Sequence, residues 1–448
     1  MENVKKLCVV SCPISTRSGY GARSRDFVRG LIQSKPDWDI KILSQRWGQT
    51  AMDALKDGVD NDLLDRILIT PLDKKPDVWI QITVPNEFQP VGNYNIGITA
   101  GVETTIVPPE CLEGINRMDK VLVSSNFTKD TIKSTVFDKK DEKTHQLVGQ
   151  LRCETPIEVL FEGIDLNIYD NKAESEDRID SVMSEIKEDF AFLFVGHWLK
   201  GDFMQDRKNV GGLIWTFLES FKNKKKAPAL ILKTSSGSTS LVDRVNIKKM
   251  VNAIKELFIK ESGTSKLPNI YLLHSDLTDV EMNALYNHPK VKVHTSFTRG
   301  EGFGRPLLEA TISGKPIIVS GWSGHMDFIN TEYATTLNGK LDNVHPSAAD
   351  KFLMKDSKWF TVDYGQGKSV MRDIYSNYNK YFEKSRKHRQ WSKDRFSFDK
   401  MVEKITELID DSKIEVKPQQ VGLKLPKLKK VETTEVPKLK LPTLKKVK

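Results

Sequence analysis

The feature that most restricts the fold is an alternation of short apolar runs with segments of helical periodicity, repeated in two series. The apolar runs of the first series lie at 7–12, 39–44, 77–83, 94–100, 120–125 and 156–161, with helical patterns at 24–33 and 109–118. Short runs that are rich in β-branched residues and bounded by Pro, Gly or Asp are typical of buried parallel strands in βα units.

A second series of the same kind begins near residue 189. Its apolar runs lie at 190–197, 229–235, 269–275, 291–296 and 315–321, and its helical patterns at 211–223, 244–260 and 279–287. Two such series predict an α/β protein built from two Rossmann-like, doubly wound domains.

Two segments interrupt this alternation and suggest where the domains end. The acidic, polar stretch 171–189 is interpreted as a connection, and residues 368–410 are predicted to form one or two long helices. The predicted organisation is an N-terminal domain at 1–170, a C-terminal domain at 171–365, helices bracing both domains at 366–412 and a tail at 413–448.

The tail differs from the rest of the chain in charge and in repetition. Of a formal net charge of +9, residues 413–448 contribute +8, and LKLPKLKKV at 423–431 recurs as LKLPTLKKV at 439–447. Proline interrupts helices and lysine opposes core formation, so we expect a disordered segment. A solubilising role stays open, beside contact with DNA or RNA, an anionic membrane surface or an acidic protein.

Cysteine usage, apolar runs and ligand spacings favour a cytoplasmic protein without a metal. The four cysteines form neither a disulfide framework nor a zinc spacing, and no apolar run approaches the ~18 residues of a membrane-spanning helix. Residues 1–15 favour a buried strand over a signal peptide. Asp60, Asn61 and Asp62 are interpreted as a solvated loop rather than a metal site.

The stretch TRGEGFGRPLLEATISGKP at 298–316 carries the strongest chemical signal. Pro306 suits a first helical turn and Gly314 a helix end, so the pattern predicts a helix over about 305–312. The free N–H groups at its start favour an anion, and Gly302 and Gly304 would let a ligand approach the backbone closely.

Two glutamates flank this helix start. Glu301 lies in the glycine-rich loop, and Glu309 lies about one turn into the predicted helix. Two carboxylates beside a phosphate-ready helix start suit a ligand with hydroxyls at two places and a phosphate between them. A nucleotide-sugar is such a ligand.

Here the sequence resembles a known family. The E-x7-E spacing followed by GKPIIVS looks like the signature of family 4 (group 1) retaining glycosyltransferases, which have the GT-B fold. Further segments occur in that family's order: SGYG at 18–21, MDKVLVSSNFTKD at 118–130, PIEVLFEGID at 156–165, FVGHW at 194–198 and RKNVGGLI at 207–214. Glu162 stands where the family usually has Asn.

The resemblance implies roles for the two glutamates and the loop between them. Glu301 would hydrogen-bond the hydroxyls of the donor sugar, and Glu309 would hold the nucleotide ribose. Backbone around Gly302, Phe303 and Gly304 would meet the sugar and the diphosphate.

The resemblance also assigns the diphosphate. Lys208 and Arg207 would neutralise it as it leaves, and Gly19 and Gly21 would let a loop of the first domain close on it. The family usually has Arg where this chain has His197, which is interpreted as a ligand residue or as a packed histidine.

The expected reaction is metal-independent transfer with retention, by a hexosyl- or pentosyltransferase that needs no cofactor and uses a UDP-, GDP- or ADP-sugar. Glu103 and His325 follow strands on the expected interdomain side and are acceptor-side candidates. The acceptor stays open between a glycan, a lipid and a protein. Segments at 18–27 and 195–214 are similar to phage-encoded glycosyltransferases, which would add a hydroxylated DNA base and a host cytoplasm.

Two other functions compete with transfer. One is nucleic-acid binding on an inactive GT-B fold, although the nearly neutral body argues against an extensive phosphate-binding face. The other is a GT-B phosphorylase or epimerase; a phosphorylase of the pyridoxal type would need a Schiff-base lysine, and no site for one is evident.

Overall fold

Two parallel sheets dominate the computed structural model, which describes residues 5–48, 50–141, 144, 146–410 and 414. In the first sheet the strands lie in the order Asp39–Ser44, Leu7–Cys12, Val78–Ile82, Tyr94–Thr99, Lys120–Val123 and Ile157–Val159. In the second sheet the order is Ile270–Leu273, Ala229–Lys233, Ala191–Val195, Val291–Ser296, Ile317–Ser320 and Thr335–Leu337. Every pairing within both sheets is parallel. The predicted fold class, two doubly wound α/β domains, is therefore confirmed.

The N-terminal half supplies the first sheet. Its strands are β1 (Leu7–Cys12), β2 (Asp39–Ser44), β3 (Val78–Ile82), β4 (Tyr94–Thr99), β5 (Lys120–Val123), β6 (Val136–Lys140), β7 (Leu147–Arg152) and β8 (Ile157–Val159). Its helices are α1 (Gly19–Ser34), α2 (Asn61–Leu64), α3 (Pro109–Ile115) and α4 (Asn126–Ser134). The antiparallel hairpin β6–β7 has no counterpart among the predicted strands, because the exposed residues of β7 lack the apolar signature of a buried strand.

The C-terminal half supplies the second sheet. Its strands are β9 (Ala191–Val195), β10 (Ala229–Lys233), β11 (Ile270–Leu273), β12 (Val291–Ser296), β13 (Ile317–Ser320), β14 (Thr335–Leu337), β15 (Gly339–Asn343) and β16 (Lys358–Val362). Its helices are α5 (Asp177–Ser184), α6 (Val210–Phe221), α7 (Leu241–Ser262), α8 (Asp279–Asn287) and α9 (Arg305–Ile312). The last helix has the predicted bounds.

Three helices, rather than the predicted one or two, follow the second sheet: α10 (Tyr364–Ser376), α11 (Tyr378–Phe396) and α12 (Phe398–Leu408). The break before α12 lies at Ser397, whose hydroxyl accepts from the amide of Lys400 and so caps the new helix. α10 packs on α6, α11 packs on α9, and α12 packs on α1. The segment thus contacts both sheets' helices.

The first strand, β1, contributes two cysteines to the core. Cys8 and Cys12 have no exposed surface and pack among the apolar residues beneath α1. Burial raises the pKa of the Cys12 thiol to about 12, which makes it unreactive at neutral pH.

The predicted glycine-rich loop at 18–21 is instead the first turn of α1. The Ser18 hydroxyl accepts from the amide of Gly21 at 3.0 Å and caps the helix. A Cβ at Gly21 would lie 2.2 Å from the carbonyl oxygen of Thr16, whereas a Cβ at Gly19 would meet open space. Contact of Gly19 and Gly21 with a ligand stays a prediction.

The sequence indicates a solvated loop at residues 60–62, and Asn61 and Asp62 are indeed exposed, but they begin the short helix α2 rather than a loop. Asp60 is buried and precedes the short helix α2, and Arg29 of α1 donates to Asp60 at 2.6 Å and to Asp62 at 3.0 Å. These carboxylates fasten α2 to α1. In the part of the chain that the structure describes, no three His, Cys, Asp or Glu side chains are grouped to hold a metal.

Glu162, which replaces the family's Asn, is buried and has a charged partner. Its carboxylate lies 3.2 Å from the guanidinium of Arg23, which also donates to the carbonyl of Leu160. The replacement is therefore matched by a cation on α1.

The basic tail predicted at 413–448 lies outside the described residues, except for Ile414. This residue is 5% exposed and packs with the core beneath α1. Among the described residues, no helix combines the length and the apolar character that crossing a bilayer requires.

Candidate functional site

The loop between β12 and α9 lies where the two domains meet. A Cβ at Gly302 would lie 1.6 Å from the carbonyl oxygen of Ala100, and a Cβ at Gly300 would lie 1.9 Å from that of Glu103. Both carbonyls belong to the loop after β4. These glycines therefore permit contact between two backbones of the same chain, a use that the sequence did not predict.

Three hydroxyls hold this loop from the N-terminal side. Ser124, Ser125 and Thr128, at the end of β5 and the start of α4, donate to the carbonyl of Gly302 at 3.1, 2.6 and 3.4 Å. The backbone amide of Asn126 also donates to the carboxylate of Asp327 at 2.8 Å. The domains are consequently in direct contact around the glycine-rich loop.

Glu301 is the centre of a buried ion cluster. The ammonium of Lys208 lies 2.5 Å from Glu301 Oε1, and the guanidinium of Arg207 lies 3.6 Å from Glu301 Oε2. Arg207 also lies 3.6 Å from the carboxylate of Glu103 in the N-terminal domain. Two cations thus face two carboxylates, one from each domain.

The charges of this cluster fix the protonation of Glu301. Burial alone would raise the pKa of its carboxyl, but Lys208 and then Arg207 outweigh burial and lower that pKa to about 2. Burial also lowers the pKa of the Lys208 ammonium, an effect that Glu301 opposes. Glu301 is therefore ionised at neutral pH and can only accept hydrogen bonds.

The backbone places these side chains. Arg207 and Lys208 end the loop after β9, just before Asn209, whose left-handed φ of 52° turns the chain into α6. The carbonyl of Arg207 accepts from the amide of Arg299 at 2.7 Å. The guanidinium of Arg207 donates to the carbonyl of Gly300 at 2.7 Å. Both loops of the second sheet are tied together at this point.

His325 lies near Glu301 in the loop after β13, and Ser323 of the same loop contacts both residues. Its ring is fully buried, with Nε2 2.7 Å from the carbonyl oxygen of Ser320, and burial lowers the pKa of the imidazole. The Ser323 hydroxyl accepts from the amide of Glu301 at 2.9 Å, and Ser323 holds a φ of 85° that is unusual for a non-glycine residue. An acceptor-side role for His325 stays a prediction.

Glu309 belongs to a second buried cluster, one turn into α9. Tyr286 of α8 donates to one of its oxygens at 3.0 Å, and Arg305 donates to the other at 2.9 Å. Arg305 also pairs with Asp26 of α1, in the other domain. Burial raises the pKa of Glu309 to about 7; Arg305 opposes this increase, and the charge of Asp279 adds to it.

A cavity of about 310 Å³ lies beside this second cluster, between α1 and the start of α9. Arg25 and Asp26 line it from the N-terminal domain, and Tyr169, Asp279 and Arg305 line it from the other side. Charged and hydroxyl groups thus face a space that both domains enclose.

The remaining predicted residues lie at the edges of this site. Phe303 is buried and its ring packs 5.0 Å from that of Phe328, so only its backbone is available to a ligand. Gly304 precedes α9 directly and has a φ of 92°, in the left-handed region that glycine adopts without strain. His197 is exposed at the end of β9, with Nδ1 3.2 Å from the hydroxyl of Ser235.

Sequence reasoning missed Arg305, Tyr286 and Asp26. Arg305 stands four residues before Glu309, a spacing that pairs side chains on one helix face, so it could have been found. Tyr286 and Asp26 come from other elements, and no local pattern connects them to Glu309.

Comparison with known proteins agrees with this architecture. Residues 240–344 match the family model "Glycosyl transferases group 1", a stretch that contains Glu301 and Glu309. The structure is similar to a glycosyltransferase from Rickettsia africae ESF-5, with a TM-score of 0.57 and 15% identity, over 90% of this chain and 98% of the other. The chain has the GT-B glycosyltransferase fold.

Two further GT-B structures are similar over most of their length. Sucrose-phosphate synthase from Thermosynechococcus elongatus aligns with a TM-score of 0.59 and 10% identity, over 90% of this chain and 98% of the other. HepE from Anabaena, solved with UDP and glucose, aligns with a TM-score of 0.53 and 12% identity, over 90% and 99%. Among curated proteins, none matches the sequence significantly. The predicted resemblance to group 1 glycosyltransferases is confirmed.

Proposed function

We propose that this GT-B protein transfers a sugar from a nucleotide-diphosphate sugar to an acceptor hydroxyl. The observation that carries the proposal is the Lys208–Glu301–Arg207 cluster, which places two cations and an ionised carboxylate beside the start of α9 at the domain contact. The similarity to HepE, which was solved with UDP and glucose, supports a nucleotide-sugar as the donor. The donor's nucleotide remains open between UDP, GDP and ADP.

The residues divide the work by charge. Lys208 and Arg207 stabilise the negative charge that develops on the departing diphosphate, which is the role a metal has in other transferases. Glu301, ionised, accepts hydrogen bonds from the sugar's hydroxyls, and Glu309 accepts them from the ribose. The carboxylate of Glu103 lies 3.6 Å from the guanidinium of Arg207, and a bound diphosphate would replace it as the partner of that cation.

The proposed reaction retains the configuration of the sugar. The acceptor oxygen forms a bond to the anomeric carbon on the face from which the diphosphate leaves. The bond from that carbon to the phosphate oxygen breaks, and its electron pair stays on the diphosphate. A phosphate oxygen takes the acceptor's proton.

The first test is release of nucleoside diphosphate from a panel of UDP-, GDP- and ADP-sugars, with and without EDTA. Wild type is compared with Glu301→Gln and with Glu158→Gln, which removes a surface carboxylate paired with Lys129. We expect wild type to turn over one donor at the same rate with and without EDTA. Glu301→Gln should turn over that donor at least ~100-fold more slowly, and Glu158→Gln should match wild type. Turnover that Glu301→Gln leaves unchanged would refute the assigned role.

The acceptor is a separate question. Hydroxylated DNA, oligosaccharides, lipid-linked sugars and proteins are candidates, and a cytoplasmic or, for a phage protein, host-cytoplasmic setting would suit the first. A nucleic-acid-binding protein on an inactive fold remains the competing function, favoured only by the charge of residues 413–448. DNA binding without turnover of any donor would select that alternative.

A further inference from the structure

A second cavity, of about 550 Å³, lies at the opposite end of α9 from Glu301. Lys315, just after α9, and three residues of α11, Arg386, Lys387 and Arg389, bring four cations to its wall. Glu383 is the one carboxylate among its described lining residues. The cavity therefore carries an excess of positive charge, and none of these residues belongs to the site described above.

The cations of this cavity keep unused hydrogen-bond donors. Lys315 donates to the carbonyl of His288 at 2.7 Å, and Arg389 Nε donates to the carbonyl of Ile312 at 2.8 Å, so both have neutral acceptors. Arg386 and Lys387 form no hydrogen bond or ion pair with any residue that the structure describes. Both side chains are exposed, and an anion with several oxygens would replace water at their donors and at the remaining donors of Lys315 and Arg389.

We propose that this cavity binds a phosphate monoester, or another dianion of similar size, through Lys315, Arg386, Lys387 and Arg389. The argument is independent of the proposed transfer reaction, because it uses none of the residues at the domain contact. The phosphate monoester could belong to a soluble metabolite or to a lipid headgroup, and these sources share the chemistry that the cavity recognises.

The binding test uses the full chain and isothermal titration with sodium sulfate and with glycerol 3-phosphate. Arg386→Ala/Lys387→Ala removes two charges from the cavity, and Lys380→Ala/Lys384→Ala removes two exposed charges from α11 outside it. We expect the first double variant to weaken binding by about tenfold or more and the second to leave it unchanged.

Three results would overturn the proposal. Wild type could show no saturable binding of either anion. The two double variants could weaken binding equally, which would indicate a general attraction to basic residues of α11. Finally, both double variants could bind the anion as wild type does, which would place the anion elsewhere, for instance at Lys208 and Arg207.

A pH series gives an independent readout. Burial and Lys292 lower the pKa of Lys315 to about 7, while the charge of sulfate is constant between pH 6 and 8. The titratable groups that interact with Lys315 are Lys292 and His294 of β12 and His288, which follows α8 and is itself near Lys290 and Asp180. The four charged α11 residues line the same cavity. We expect sulfate to bind several-fold more weakly at pH 8, and Lys315→Met to remove this dependence. A pH dependence that survives in Lys315→Met would contradict the assignment of this lysine.

Vesicle flotation separates the two sources of the phosphate. Phosphatidylcholine vesicles with and without phosphatidic acid, whose headgroup is a phosphate monoester, are mixed with wild type and with both double variants. Flotation that needs phosphatidic acid and is lost in Arg386→Ala/Lys387→Ala identifies the lipid. Binding of glycerol 3-phosphate without flotation identifies a soluble ester.

Discussion

At the scale of single residues, Glu301 is the buried carboxylate whose replacement should lower the free energy of unfolding most clearly. Its neutral replacement Glu301→Gln leaves Lys208 and Arg207 buried with less than their full counter-charge. We expect a loss of about 3 kcal/mol in the free energy of unfolding, measured by urea denaturation. Glu158→Gln, at a pair with a half-exposed carboxylate, should cost less than ~1 kcal/mol. Equal losses would show that the Glu301 cluster is not effectively buried.

Glu309 should make stability depend on pH in a defined direction. The pKa of this carboxyl is raised from its usual 4.5 to about 7, so between these values the folded chain keeps a proton that the unfolded chain has released. Stability contributed by this group therefore falls as pH rises from 4.5 to 7. Measured by denaturation at several pH values, wild type should lose stability relative to Glu309→Gln across this window. A constant difference between the two would contradict the shift.

At the scale of elements, the glycine-rich loop offers a sharp comparison. Gly302→Ala forces a Cβ against the carbonyl of Ala100, whereas Gly19→Ala adds a Cβ in open space within α1. We expect Gly302→Ala to separate the two domains, which would increase the radius of gyration in small-angle X-ray scattering and reduce donor turnover. Its circular dichroism should stay native, because both sheets are intact. Gly19→Ala should match wild type in scattering, and an unchanged radius for Gly302→Ala would refute the tight contact.

Elements also show what the sequence could and could not predict. The bounds of α9 were predictable because Pro306 and Gly314 mark the start and end of a helix by local backbone chemistry. The hairpin β15–β16 was missed because β15 is largely exposed and lacks the apolar pattern of a buried strand, although its partner β16 is mostly buried. Glu301 and Lys208 were named through a family resemblance, but their 2.5 Å contact joins loops after two different strands. The tie from Arg305 to Asp26 crosses the domains, where no local pattern operates.

At the scale of the whole molecule, two truncations separate the basic tail from the fold. Removing residues 416–448 keeps Ile414, which packs beneath α1, whereas removing residues 411–448 deletes it. We expect the shorter truncation to leave the free energy of unfolding unchanged and the longer one to cost about 2 kcal/mol. Identical stabilities would show that Ile414 contributes nothing to the core.

The shorter truncation also tests the DNA hypothesis. It removes ten lysines and two glutamates, so activity on hydroxylated DNA should fall, and its decline with increasing salt should become less steep. Activity on a neutral oligosaccharide provides the control and should not change. If the truncated chain acts on DNA with the same activity and the same salt slope, the tail gives no reason to favour that acceptor.

The close approach of the two domains has a consequence for how this surface can vary. At Gly300 and Gly302, the partner atoms are the carbonyl oxygens of Glu103 and Ala100, not their side chains. Every residue type brings the same carbonyl, so these two backbone contacts do not depend on the side chains at 100 and 103, although the Glu103 carboxylate also pairs with Arg207. Closure of the two domains therefore tolerates variation at position 100, provided that positions 300 and 302 carry no side chain.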